Sequence, residues 1–196
     1  MVATPSTGSR SAADPSILVR ELRWSDFDQI RETFYLLFDE RETQPEIGIT
    51  LFDRRPSIED EASWFASLFR RAASGEAIVA VAEHHGMVVG QCTISRVGPT
   101  AQHEAAHVGE LGILVHRDHR GAGVGRALLE SALGQARGTF EVVRLSVFSV
   151  NTRARRLYER CGFVYIGSRP AAVKRGERYF DEDLMVLDLR SRPANR

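Results

Sequence analysis

The chain has 196 residues, with 26 Lys or Arg balanced by 26 Asp or Glu, so it is one domain of zero formal net charge with room for a sizeable core. That balance argues against a protein whose main partner is nucleic acid or an anionic membrane, since such proteins carry a basic excess. Two cysteines, Cys92 and Cys161, are too few for a disulfide framework and read as reduced thiols of a cytoplasmic protein.

Residues 1–16 are rich in Ser, Thr, Ala, Pro and Gly, lack the apolar core of a signal peptide, and read as a disordered tail. Ile17 to Arg23 alternates weakly as a first strand, and Ser25 or Asp26 is placed to cap a helix from Phe27 to about Phe38. A polar, proline-bearing segment, 39–56, leads to Ser57-Ile-Glu-Asp-Glu, an N-cap with an acidic first turn. The helix it opens runs to about Ala73, with Trp64, Leu68 and Phe69 at core spacing and Gly75 beyond its end. Residues 77–83 and 88–96 read as two strands of a hairpin around His84-His85-Gly86. The apolar run AIVAVA at 77–82 is far short of a membrane span. A strand from His107 to Val115 follows, then a glycine loop and a helix that gathers Val124, Leu128, Leu129, Ala132, Leu133 and Ala136 on one face. A strand (142–149), a short helix (about 152–161), a strand (163–168), a polar loop and a last strand (183–189) complete the domain, with 191–196 a second short tail. Strands and helices in this order give a mixed sheet covered by helices, an α/β or α+β three-layer domain over 17–190.

The stretch HRDHRGAGVGRALLESAL, 116–133, places glycines at 121, 123 and 125 and runs directly into good helix formers. Free amides and the helix dipole make such a junction an anion site. A phosphate-binding P-loop needs a lysine followed by Ser or Thr, absent at that spacing, and a dinucleotide fingerprint needs a third glycine where Arg126 or Leu128 stands. What remains is R-x-x-G-x-G, carried by Arg120, Gly123 and Gly125.

The run ELGILVHRDHRGAGVGRALL resembles the acyl-CoA-binding core of the GNAT superfamily of N-acetyltransferases, and NTRARRLYERCGF, 151–163, is similar to that superfamily's N-x-x-A-x-x-L-Y-x-x-x-G-F segment. The resemblance implies a mostly antiparallel sheet of six to seven strands flanked by about four helices, and transfer of an acetyl group from acetyl-CoA to a primary amine. It also implies that the backbone of Ile113, Leu114 and Val115 meets the pantetheine arm. The amides from Gly121 through Ala122, Gly123, Val124 and Gly125 to Arg126 are placed to face the coenzyme's diphosphate, with Arg120 and Arg126 adding charge. By the same resemblance Tyr158 is the general acid, its phenol matched in basicity to the departing thiolate. Asn151 either touches the coenzyme or caps the short helix.

Glu110 is a general base or a paired strand carboxylate. Asp181 and Glu182 either hold a cationic amine or are solvated loop charges, and Trp24, Phe34 and Phe38, together with the segment RGERYFDEDLM at 175–185, lie where relatives shape the acceptor site. Arg153, Arg155 and Arg156 read as a solvated helix face, with a lesser prospect of meeting the phosphates. The pairs His103/His107 and His116/His119 lack a third ligand, so no metal is expected. The acceptor stays open among a small amine, an antibiotic, an amino acid and a protein N-terminus. Other readings are a non-catalytic acyl-CoA-binding sensor or partner module and, with Arg126 or Leu128 against it, a dinucleotide-dependent enzyme. The resemblance also allows a homodimer, which no residue specifies.

Overall fold

In the computed structural model, which describes residues 16–44, 51–98 and 100–190, the alternating segments join into one seven-stranded sheet. The strands are β1 (Ile17–Glu21), β2 (Ala77–His84), β3 (Met87–Arg96), β4 (Val108–Val115), β5 (Val142–Phe148), β6 (Val164–Arg175) and β7 (Arg178–Asp188), in the order β1-β2-β3-β4-β5-β7-β6. All neighbours are antiparallel except β4 and β5. Four α-helices cover it: α1 (Phe27–Thr43), α2 (Ile58–Ala73), α3 (Val124–Ala136) and α4 (Thr152–Arg160). The mixed, mostly antiparallel sheet with four helices is the architecture the sequence implied. No helix among the described residues is long and apolar enough to cross a membrane.

Successive strand side chains point to opposite faces, so the sheet carries two cores. On one face Val124, Leu128, Leu129, Ala132 and Ala136 of α3 pack on Ala80, Ala82, Cys92, Ile94, Leu111, Val143, Leu145 and Met185, with Tyr158 and Phe163 beside them. On the other, Ile30 of α1 with Phe65 and Leu68 of α2 cover Ala77, Val79, Val81 and Val88. It is Phe65 that turns inward on α2, while Trp64 is 46% exposed.

Three elements differ from the sequence reading. Helix α1 continues to Thr43 because Asp-Glu-Arg-Glu are competent helix formers and Glu40 finds a tertiary partner. Asp26 occupies its N-cap position but makes no side-chain cap bond: it ends a tight turn, and its buried carboxylate accepts two bonds from Arg20 at 2.8 Å each and one from the Arg23 amide at 2.8 Å. The polar loop expected before the last strand is instead half of a long hairpin, since polar residues suit an edge strand such as β6, exposed along most of its length. The tails at 1–15 and 191–196 lie outside the described residues.

The feature that positions the site is the one parallel junction. β4 and β5 are in register only at Val108↔Val142, Gly109↔Val143 and Glu110↔Arg144. Past that seam β4 stays paired with β3 as far as Val115, and β5 with β7 as far as Phe148, so the two strands splay and leave one edge of β4 without a strand partner.

Candidate active site

At the end of that unpartnered edge the chain turns through Arg117–His119 into the glycine loop. Gly121 (φ +94) and Gly123 (φ +88) take left-handed backbone that a side chain would strain. Gly123 occupies the N-cap of α3 without a side-chain cap, and the first intrahelical bond runs from Ala127 N to Gly123 O at 3.0 Å. The amides of Val124, Gly125 and Arg126 therefore point out of an open helix start with no acidic residue in its first turn. A Cβ on Gly121 would lie 2.8 Å from a guanidinium nitrogen of Arg153, which places that arginine of α4 over the loop. Glycine backbone, open amides and the helix dipole together fit a diphosphate.

The two loop arginines singled out from sequence are both engaged with carboxylates. Arg120 donates from Nη1 and Nη2 to Glu40 at 3.0 and 2.8 Å and from Nε to the Val115 carbonyl at 3.0 Å, tying the loop to α1 and to the end of β4. Arg126 pairs with Glu130 one helical turn on, at 2.8 Å. Glu40 is a structural partner the sequence reading missed, because it fell in a segment read as polar connection.

Ile113 and Val115 lean on the α3 face of the sheet while Leu114 is buried towards α1, so their backbone is what faces the splay. Helix α4 lies against the first turn of α3, with Leu157 3.1 Å from where a Cβ of Gly125 would stand. Tyr158, next along, is 6% exposed, and its ring meets Phe163 edge-on at 5.9 Å. Burial, reinforced by the nearby Cys92 and Cys161 thiols, pushes its phenol above the ordinary range, so it keeps its proton. Asn151 is the N-cap of α4, its Oδ1 accepting from Ala154 N at 3.1 Å.

On the opposite face Glu110 pairs with Arg144 across the seam at 2.9 Å, both side chains about half exposed. Asp181 and Glu182 are neighbours on β7 and so point to opposite sides. Glu182 is buried between Ser146 and Arg169, and Asp181 accepts from the Ala171 amide at 2.7 Å. Glu182 is thus not a solvated loop charge, whereas Asp181 is an exposed carboxylate on a strand rather than in a loop. The next residue, Asp183, is buried and accepts from Ser149 (2.6 Å), Ser168 (2.8 Å) and Arg155 (2.7 Å). Arg155 is thus a structural tie and not part of a solvated face. Trp24 packs on Phe65 and Phe69 of α2 at 5.5 and 5.0 Å, whereas Phe34 and Phe38 meet edge-on at 5.5 Å on α1. Among the described residues no three His, Cys, Asp or Glu side chains converge where a metal ion could sit.

The sequence profile of the acetyltransferase (GNAT) family matches residues 20–163. L-amino acid N-acyltransferase MnaT of Escherichia coli (strain K12) is 28% identical over 143 residues, covering 71% of this chain and 78% of that protein. N-alpha-acetyltransferase 40 of Saccharomyces cerevisiae is 56% identical over 61 residues, which is 27% of this chain and only 21% of that protein's length. Among solved structures, yncA from Salmonella typhimurium, determined with its cofactor acetyl-CoA, superposes with a TM-score of 0.76 at 23% identity over 92% of this chain and 98% of that one.

Proposed function

The chain belongs to the acetyltransferase (GNAT) family, and on that premise we propose that it moves an acetyl group from acetyl-CoA to a primary amine by direct attack in a ternary complex. The observation that carries this reading is the open, glycine-lined start of α3 at the end of an unpartnered β4 edge, with buried Tyr158 on the helix whose Leu157 packs against that start. Acetyl-CoA would supply an activated thioester; the rest is done by the chain. The amides from Gly121 to Arg126 hold the diphosphate, and Arg120 keeps the loop in place through Glu40 and the Val115 carbonyl. Backbone groups of Ile113 to Val115 bind the arm, and one of their N–H groups faces the thioester oxygen, where negative charge develops. The Tyr158 hydroxyl delivers the proton that the leaving thiolate needs, for which a phenol that stays neutral is the right state.

Glu110 is the candidate to take the proton from the acceptor ammonium; at its exposure, a water between the two groups is compatible with that role. Two relatives whose names specify an L-amino acid and an N-alpha amine support a primary amine as acceptor. Neither cysteine forms a disulfide, in keeping with a reducing, cytoplasmic setting.

The test is thiol release from acetyl-CoA by the purified protein, scored against single amines. Tyr158→Phe is expected to lower turnover by at least about tenfold while acetyl-CoA affinity changes little. Unchanged turnover would remove Tyr158 from the mechanism. Amine-independent binding of acetyl-CoA without release would instead describe a binding module.

A further inference from the structure

We propose that the cavity between the last turn of α2, the start of β2 and the end of β3 is a second anion site, built for a phosphate dianion, free or as the monoester of a small molecule. It stands apart from the transferase reading above.

The site begins with helical spacing. Ser67, Arg70, Arg71 and Ser74 recur at three- and four-residue intervals, so they share one face at the end of α2. That face overhangs Glu76 and Arg96, which are joined by a bond from Arg96 N to Glu76 O at 2.9 Å. Together these residues line a cavity of about 890 Å³, within the range of small-molecule sites. It lies at the foot of the sheet. Arg96 is in register with Gly109 and Gly90 with Val115, so the length of β4 puts about 20 Å between this cavity and the strand end that meets the glycine loop.

Three guanidinium groups meet here with little to neutralise them. The Arg70 side chain has no hydrogen bond or ion pair among the described residues. Arg71 donates from Nη2 to the Arg96 carbonyl at 3.2 Å. Arg96 donates from Nη1 to the Ala106 carbonyl at 2.8 Å, its guanidinium 5.8 Å from the centre of the Phe140 ring. Carbonyls and a ring face orient these cations without cancelling their charge. The Nε of Arg96 is buried with no hydrogen-bond partner among the described residues, a deficit that native interiors rarely carry. The dipole of α2 accounts for these cations only in part, because the carbonyls of Arg70, Arg71 and Ala72 already accept from the amides of Ser74, Glu76 and Gly75. Glu76 is the one carboxylate among the described residues that line the cavity. The wall therefore carries two positive charges in excess, the complement of a phosphate monoester near neutral pH. The Ser67 hydroxyl adds a neutral donor beside the arginines.

Calorimetry on the full chain, with and without saturating coenzyme A, tests this. The probes are inorganic phosphate, glycerol phosphate and adenosine monophosphate, with glycerol, adenosine and succinate as controls. The expected result is binding of at least one phosphate with a Kd of about 1 mM or tighter, unchanged by coenzyme A. Arg70→Gln, which removes no contact of the fold, should weaken that binding about tenfold, and Glu76→Gln should tighten it about twofold. A purely structural role for these two residues predicts neither change. Free phosphate binding as well as its esters upholds the site with the free anion as ligand, and tighter binding of one ester upholds it and identifies the group the phosphate is carried on. No phosphate binding up to about 10 mM would overturn the proposal. So would loss of binding when coenzyme A is present, tighter binding of succinate than of every phosphate, or an Arg70→Gln variant that binds as well as the parent chain. None of these readouts needs turnover, so the result stands whether or not an amine is acetylated.

Discussion

Tyr158 and Cys92 hold their protons further up the pH scale than the same groups in water, because burial penalises phenolate and thiolate. The unfolded chain releases these protons at the ordinary values, about 8.5 for a thiol and about 10 for a phenol. Above those values the folded state binds more protons than the unfolded one. The sign is therefore fixed: this contribution is complete below the unfolded values and shrinks as pH climbs from them towards the folded ones. Melts are expected to show Tm falling above about pH 9, with a shallower fall in Tyr158→Phe and in Cys92→Ala. A flat Tm to about pH 10.5 would contradict the buried placement. At Gly123 the argument is backbone: with φ at +88, alanine should cost about 1 kcal/mol and tilt the amide cradle. Gly123→Ala should thus lower acetyl-CoA affinity by about tenfold or more in calorimetry, beyond its modest effect on Tm.

Between elements, the ties are ionic and reach far along the sequence. Glu40 and Arg120 are 80 positions apart yet form a two-point pair, so Glu40→Ala should weaken acetyl-CoA binding although Glu40 lies on α1 and not in the loop. Equal affinity in that variant would mean the Val115 carbonyl alone suffices to hold Arg120. Asp183 joins the β5–α4 turn, α4 and β6 through Ser149, Arg155 and Ser168, and removing a buried acceptor of three bonds should cost about 2–4 kcal/mol. Asp183→Ala would show it as a lower midpoint in urea. These ties also mark where the sequence was opaque. The glycine loop and α3 could be read directly, because left-handed turns and an apolar helical stripe are local demands on residue type. The β6–β7 hairpin could not, since an edge strand satisfies its polar residues with solvent and shows no alternation. Asp183 and Glu40 have partners on other elements, and nothing in their neighbours along the chain announces them.

Taken whole, the sheet is two antiparallel blocks, β1 to β4 and β5 to β7, in register with each other at three residue pairs and sharing the layer of α3 and α4. A molecule bound in the splay touches both blocks, so acetyl-CoA at about one hundred times its dissociation constant should add about 2.7 kcal/mol of apparent stability, visible as a concentration-dependent Tm. The division is also one of sequence, because every described strand before the turn at 137–139 belongs to the first block, with α3, and every described strand after it belongs to the second, with α4. The chain is in that sense already a two-piece kit. Expressed as separate polypeptides divided at that turn, the pieces should complement each other across the seam, and their reassembly, read as restored thiol release, should speed up when acetyl-CoA is present to clasp them together.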